Sequence, residues 1–162
     1  MTRDETFEHL YAEHASALLS FLHYRTGDLA LAEDILADTF ERVLVARRFT
    51  PRGASERTWL YTIAVNRLRD LARREGAEKR ALARVDTASH VAPRHGELEL
   101  LENRDLVHRA MATLPEEERE VLALRYGADL SLGEIAKVTG QKQTTVEGRV
   151  YRGLRRMREA MG

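Results

Sequence analysis

Apolar residues recur with a helical period along most of the chain, and the places where that period fails divide it into two groups of helices. From Glu5 to Tyr24 the apolar positions are Phe7, Leu10, Tyr11, Leu18, Phe21 and Leu22, and Gly27 follows as a residue suited to a left-handed C-terminal conformation. Asp28 is placed to cap a second helix, running to about Arg48 on a stripe of Ile35, Leu36, Phe40, Val43 and Leu44. Thr50, Pro51, Arg52, Gly53 and Ala54 interrupt the pattern, and Ser55 is placed to cap a third helix reaching about Glu75. Three such helices predict one small bundle.

Residues 76–97 lose the periodicity and contain Gly76, Pro93 and Gly96, which reads as linker. A helix resumes from Leu98 to Met111. Leu114 and Pro115 followed by Glu116, Glu117 and Glu118 mark another start, with proline at the first helical position and acids at the positive end of the dipole; that helix ends near Gly127. Ser131 with Glu134 predicts a capping box for a short helix through Val138, Gly140 allows a tight turn, and a last helix spans about Gln143 to Ala160. The predicted fold is all-α: an N-terminal helix-bundle domain over 1–76, a linker over 77–104 and a C-terminal helix-turn-helix domain over 105–162.

Composition narrows the class. With 162 residues, 43% apolar and 32% charged, the chain reads as folded, helix-rich and highly charged. It has no cysteine, which removes disulfides and thiolate metal sites and fits a reducing cytoplasm. Met1 to Glu8 is polar and acidic, and no apolar run approaches a membrane span, so neither export nor membrane insertion is expected. Net charge is zero, but its distribution is uneven. Between Lys142 and Arg158 six basic residues face Glu147 alone, a balance of +5, and between Arg57 and Arg80 seven basic residues face three acids, a balance of +4. Each cluster alone fits a solvated helix face; two of them, on two helices, fit a polyanionic partner.

The last helix divides into two faces, with Val146, Val150, Leu154 and Met157 on one and Gly148, Tyr151, Arg152 and Arg155 on the other. A short helix, a glycine turn and a longer basic helix form the helix-turn-helix pattern, in which arginine donates bidentate pairs to guanine while its neighbours hold phosphates. The third helix divides similarly, Leu60, Ile63, Ala64, Leu68 and Leu71 against Thr62, Asn66, Arg69 and Arg73. Trp59 suits either an unpaired base or the bundle core. No Gly-rich phosphate loop, cysteine nucleophile or metal-spaced histidine pair is present; His9 and His14, five residues apart, do not share a helical face, so the chain is expected to be no enzyme and to hold no metal or cofactor.

Ala32-Glu33-Asp34-Ile35-Leu36-Ala37-Asp38-Thr39-Phe40, followed by Thr58-Trp59-Leu60-Tyr61-Thr62-Ile63-Ala64-Val65-Asn66, resembles region 2 of the extracytoplasmic-function (ECF) group of sigma-70 family RNA polymerase sigma factors. The segment from Leu114 to Leu122, with Leu130 to Ala136 and Thr145-Val146 before Arg149, resembles their region 4. Both halves match in order, and only the linker is left uncovered. The resemblance implies a non-catalytic subunit that binds core RNA polymerase and promoter DNA, with an anti-sigma factor as a further candidate partner. It places Asp34, Asp38, Glu41 and Arg42 on the polymerase-docking side of the second helix. It assigns Arg52, Arg57, Trp59, Thr62, Asn66, Arg69 and Arg73 to the melted minus-ten strand. It assigns Lys142, Thr145, Glu147, Gly148, Arg149, Tyr151, Arg152 and Arg155 to the minus-thirty-five duplex.

The chain also departs from the family pattern. Gln141 and Lys142 stand where relatives often have an apolar residue and then serine. Position 147 is often basic in the family; here Glu147 suits either a cytosine or a capping box with Thr144. Gly148 replaces a frequent serine and removes one potential contact. Two other readings compete: a self-sufficient helix-turn-helix regulator, and, more weakly, a recombinase-type protein, for which no clustered catalytic carboxylates or arginines are found.

Overall fold

The computed structural model describes residues 3–46, 55–79 and 98–162, with seven α-helices and no strand among them. Helix α1 spans Arg3–Thr26, α2 Leu29–Val45 and α3 Glu56–Lys79. The break between α1 and α2 forms as its chemistry dictates. Gly27 takes φ +70°, its N–H bonds back to the His23 carbonyl at 2.8 Å, and the Asp28 carboxylate accepts from the Leu31 N–H. At the start of α3 the Ser55 hydroxyl accepts from the Thr58 N–H at 3.1 Å.

Ala32, Ile35, Thr39, Phe40 and Val43 form the buried stripe of α2, whereas Leu44 is exposed. Phe40 meets Phe7 and Tyr11 of α1 edge-on, at 5.9 and 4.9 Å between ring centres. Helix α3 is buried more widely than its sequence stripe suggests. Tyr61 and Val65 are enclosed along with Leu60, Ala64 and Leu68, because α3 packs against both α2 and a helix of the C-terminal half. It also continues to Lys79, beyond the expected end near Glu75.

Helix α4 spans Leu98–Ala112 and α5 Glu116–Leu122, followed by a π-turn over Ala123–Gly127. Pro115 is the residue before the helix, at φ −54° and ψ 149°, and not its first member as the sequence suggested; Glu116, Glu117 and Glu118 form the first turn. Helix α6 spans Leu132–Thr139 with both halves of the Ser131 and Glu134 capping box formed, and Gly140 at φ +70° leads into α7, Gln143–Met161. Met111, Leu114, Val121, Leu124, Leu130, Ile135, Val138 and Val146 are its core.

The two halves share a face. The π-turn and α4 lie on α1, and α6 lies on α3. Gly127 sits tightly against α1: a Cβ there would come 3.2 Å from the Phe21 Cα and 3.1 Å from the Tyr24 ring, so any side chain would need the neighbours to give.

Candidate nucleic-acid interface

Helices α6 and α7 make the helix-turn-helix, and α7 is held from beneath. Val146 and Gly153 are buried while Val150, Leu154 and Met157 are half-buried. Gly153 was not singled out from the sequence, although it lies seven residues after Val146 on the same face. A Cβ at Gly153 would fall 2.9 Å from the Leu122 Cδ1 and 3.1 Å from its Cγ. Replacing Gly153 with leucine is therefore expected to lift α7 from α5 and destabilise the chain by about 1–3 kcal/mol, read as a lower melting temperature. Gly153→Ala should cost less, since alanine recovers roughly 1 kcal/mol of helix propensity.

Glu118 was likewise unforeseen. Its carboxylate is buried in the first turn of α5 yet ion-paired to two arginines of α7, 3.7 Å from Arg152 Nε and 3.2 Å from Arg156 Nε. Arg152 also lies over Gly148, where a Cβ would meet its Nη1 at 3.1 Å, so the missing side chain gives the guanidinium room along the helix. Tyr151 projects outward, 69% exposed, and Lys142, Glu147 and Arg155 are exposed while Thr145 and Arg149 are half-buried. The Thr144 and Glu147 capping box does not form. Helix α7 begins at Gln143, after Lys142 without a side-chain cap, and Glu147 accepts instead from the Gln143 amide at 3.4 Å.

On α3 the structure gathers Asn66, Arg69 and Arg73 opposite Glu116, Glu117 and Glu120 of α5, across a cleft of about 880 Å³. Arg69 donates to the Glu120 carboxylate at 3.2 Å, and Arg73 pairs with Asp70 at 2.6 Å. Thr62 bonds back to the Thr58 carbonyl and Trp59 is half-buried against the core. Arg57 donates to the carbonyls of Ala128 and Asp129 at 2.9 and 2.7 Å and lies 3.7 Å from Glu134. Arg25, nearly buried, pairs with Glu116 at 2.8 Å. Arg119 is held below the usual guanidinium range by burial and then by Arg25, with Glu116 opposing. Two of the expected minus-ten residues, Arg57 and Arg69, are thus occupied by the C-terminal half. Arg52 lies outside the described residues.

Along α2, Asp34, Glu41 and Arg42 are exposed, and Asp38 pairs with Arg67 of α3 at 2.9 Å. No helix among the described residues is long and apolar enough to cross a membrane.

These features define an all-α protein carrying a helix-turn-helix and a second, arginine-bearing helical surface. Family models describe the same two parts: sigma-70 region 2 matches residues 10–78 and sigma-70 region 4 matches residues 104–157. The RNA polymerase sigma factor CarQ of Myxococcus xanthus is 32% identical over 98% of this chain and 90% of its own length. The ECF sigma factor SigL of Mycobacterium tuberculosis is 32% identical over 92% and 85%. The fold matches RpoE of Bartonella quintana, solved with the anti-sigma factor NepR, at TM-score 0.81, with 23% identity over 97% of each chain. It also matches CnrH, solved with the cytosolic domain of CnrY, at TM-score 0.71 and 26% identity over 96% of this chain and 87% of that one. The chain belongs to the ECF group of the sigma-70 family, and is a sigma factor that directs promoter recognition by RNA polymerase at initiation.

Proposed function

We propose a division of labour among the helices. The outer face of α2, with Asp34, Asp38, Glu41 and Arg42, docks on core polymerase. Helix α3, with Trp59, Thr62, Asn66, Arg57, Arg69, Arg73 and the neighbouring Arg52, holds the melted minus-ten strand. Helix α7 enters the major groove of the minus-thirty-five element through Lys142, Thr145, Glu147, Gly148, Arg149, Tyr151, Arg152 and Arg155. The observation that carries this reading is the anchoring of α7 through Val146, Gly153 and Glu118, which leaves Tyr151 and Arg155 facing outward.

The subunit performs no bond chemistry. Its affinity for the unpaired strand favours the open promoter, a population shift driven by differential binding. It works in the cytoplasm, where polymerase is. RpoE was solved with the anti-sigma factor NepR and CnrH with the cytosolic domain of CnrY; an anti-sigma factor is the proposed inhibitor of this chain as well.

Run-off transcription with core polymerase over a promoter library, with start-site mapping, tests the assignment. Specific starts that depend on the chain are expected, together with co-elution with core. Tight binding to palindromic DNA without polymerase, and no co-elution, would instead establish a self-sufficient regulator. Within the same assay Arg152→Ala is expected to cost roughly 1–3 kcal/mol, concentrated at one base pair. A uniform loss over all promoters would assign Arg152 to a phosphate.

A further inference from the structure

Away from α7 and the cleft, three side chains converge where α1 passes the start of α3. His9 and Glu13, one turn apart on α1, share a face, and the His9 Nε2 lies 3.0 Å from a Glu13 carboxylate oxygen. Glu56, the first residue of α3, joins them, and the three donor atoms lie within 4.8 Å of one another. We propose that His9, Glu13 and Glu56 bind a first-row divalent cation, Zn²⁺ foremost, which pins α1 to the start of α3.

The reason begins with charge. Glu13 and Glu56 bring two carboxylates to the His9 imidazole, with His14 Nε2 also 3.9 Å from the same Glu13 oxygen, and Arg57 is turned away from them to the Ala128 and Asp129 carbonyls and to Glu134. One imidazole and two carboxylates are a nitrogen and oxygen donor set that suits Zn²⁺ and its neighbours, unlike the all-oxygen shells of Ca²⁺ and Mg²⁺. Donors about 2.1 Å from a tetrahedral centre stand roughly 3.4 Å apart. The present spread therefore closes with a small rotation. His9 and Glu13 are more than half exposed, at 57% and 53%, so that rotation meets little packing. On binding, the His9 ring proton resides on Nδ1, the Nε2 lone pair turns to the metal, and the contact with Glu13 is replaced by two metal bonds.

A second observation points to the same place. Glu13 and Glu56 also line a cavity of about 460 Å³ with His14, Ser55, Arg57 and Tyr61. Tyr61 is 1% exposed, and its hydroxyl has no hydrogen-bond partner among the described residues. A buried hydroxyl without a partner is costly, and the opening between these side chains has room for the water molecules that would complete a metal's shell. A histidine and a glutamate four residues apart share a helical face, whereas His9 and His14, five apart, do not.

Titration of the tag-free full-length chain with Co²⁺, followed by displacement with Zn²⁺, tests the site. Saturable 1:1 visible absorption is expected, with a parallel change in the emission of Trp59, three residues beyond Glu56. His9→Ala, Glu13→Gln and Glu56→Gln should each weaken Zn²⁺ binding by roughly tenfold or more, with helical content unchanged by circular dichroism. The His90→Ala/His95→Ala variant should bind as the parent does. Absence of saturable Co²⁺ absorption would overturn the proposal, and so would loss of binding in the His90 and His95 variant with retention in His9→Ala.

Discussion

Reversing Asp34 to lysine is expected to weaken attachment to core polymerase by about 2–5 kcal/mol, roughly thirty-fold to several-thousand-fold, with little change in the melting temperature of the free chain. Asp34, Asp38, Glu41 and Val45 follow one another at helical spacing along the outer side of α2, and Leu44 and Val45 add apolar surface at 45% and 75% exposure. Among the described residues Asp34 has no hydrogen bond or ion pair that competes with docking. Asp38 has one, since it holds Arg67 of α3 at 2.9 Å. Asp38→Lys should therefore lower both stability and affinity, whereas the exchange Asp38→Arg with Arg67→Asp should restore stability and leave the affinity low. Fluorescence anisotropy with labelled chain and core polymerase measures the first quantity, thermal unfolding the second. Full affinity in Asp34→Lys would remove α2 as the docking face.

The same pair shows where sequence reasoning is strong and where it stops. Most local chemistry was legible: Gly27, Asp28, Ser55, the Ser131 and Glu134 box and Gly140 each act within a few residues and each structure they specify forms, whereas Pro115 stands one residue before its helix and Thr144 and Glu147 form no box. Long-range contacts were not. Arg57 and Arg69 read as DNA-facing because their helix face was judged with the N-terminal bundle alone; α6 and the turn at Ala128 and Asp129 cover that face. Tyr61 and Val65 are buried for the same reason. Gly153 and Glu118 were missed because neither is apolar, so a pattern of apolar residues cannot register them. One admits Leu122 by having no side chain, and the other anchors two arginines.

Those long-range contacts give the acids of α5 a consistent role. Glu118 faces inward to Arg152 and Arg156 of α7, while Glu116 and Glu120 face the N-terminal half through Arg25 and Arg69. A seven-residue helix thus joins the two basic surfaces, one on each side. Such pairs are individually weak where exposed, each typically about 0–1 kcal/mol. Their importance lies in which groups they occupy, since a guanidinium on a carboxylate is not available to a phosphate.

Separating the halves is expected to raise the apparent affinity of the polymerase-bound chain for promoter DNA, and size explains why. A compact chain of 162 residues has a radius of gyration of about 15 Å, a body roughly 40 Å across. The minus-ten and minus-thirty-five elements lie about 25 base pairs apart by name, roughly 85 Å of duplex at 3.4 Å per step. No closed form of this size contacts both, so engagement must break the contacts of Arg25, Arg57 and Arg69 and lift Gly127 from α1. Any free energy favouring closure is then subtracted from binding, about tenfold in affinity for each 1.4 kcal/mol. Two variants release it by independent means. Glu116→Lys with Glu120→Lys turns two attractions into repulsions, while Gly127→Val drives a side chain against the Phe21 backbone. Small-angle scattering should show an increase of several ångströms in the radius of gyration for both, at unchanged helical content, and both, bound to core polymerase, should hold promoter DNA more tightly than the parent does. Unchanged dimensions and unchanged affinity in both variants would mean that the contact between the halves sets no threshold for promoter engagement.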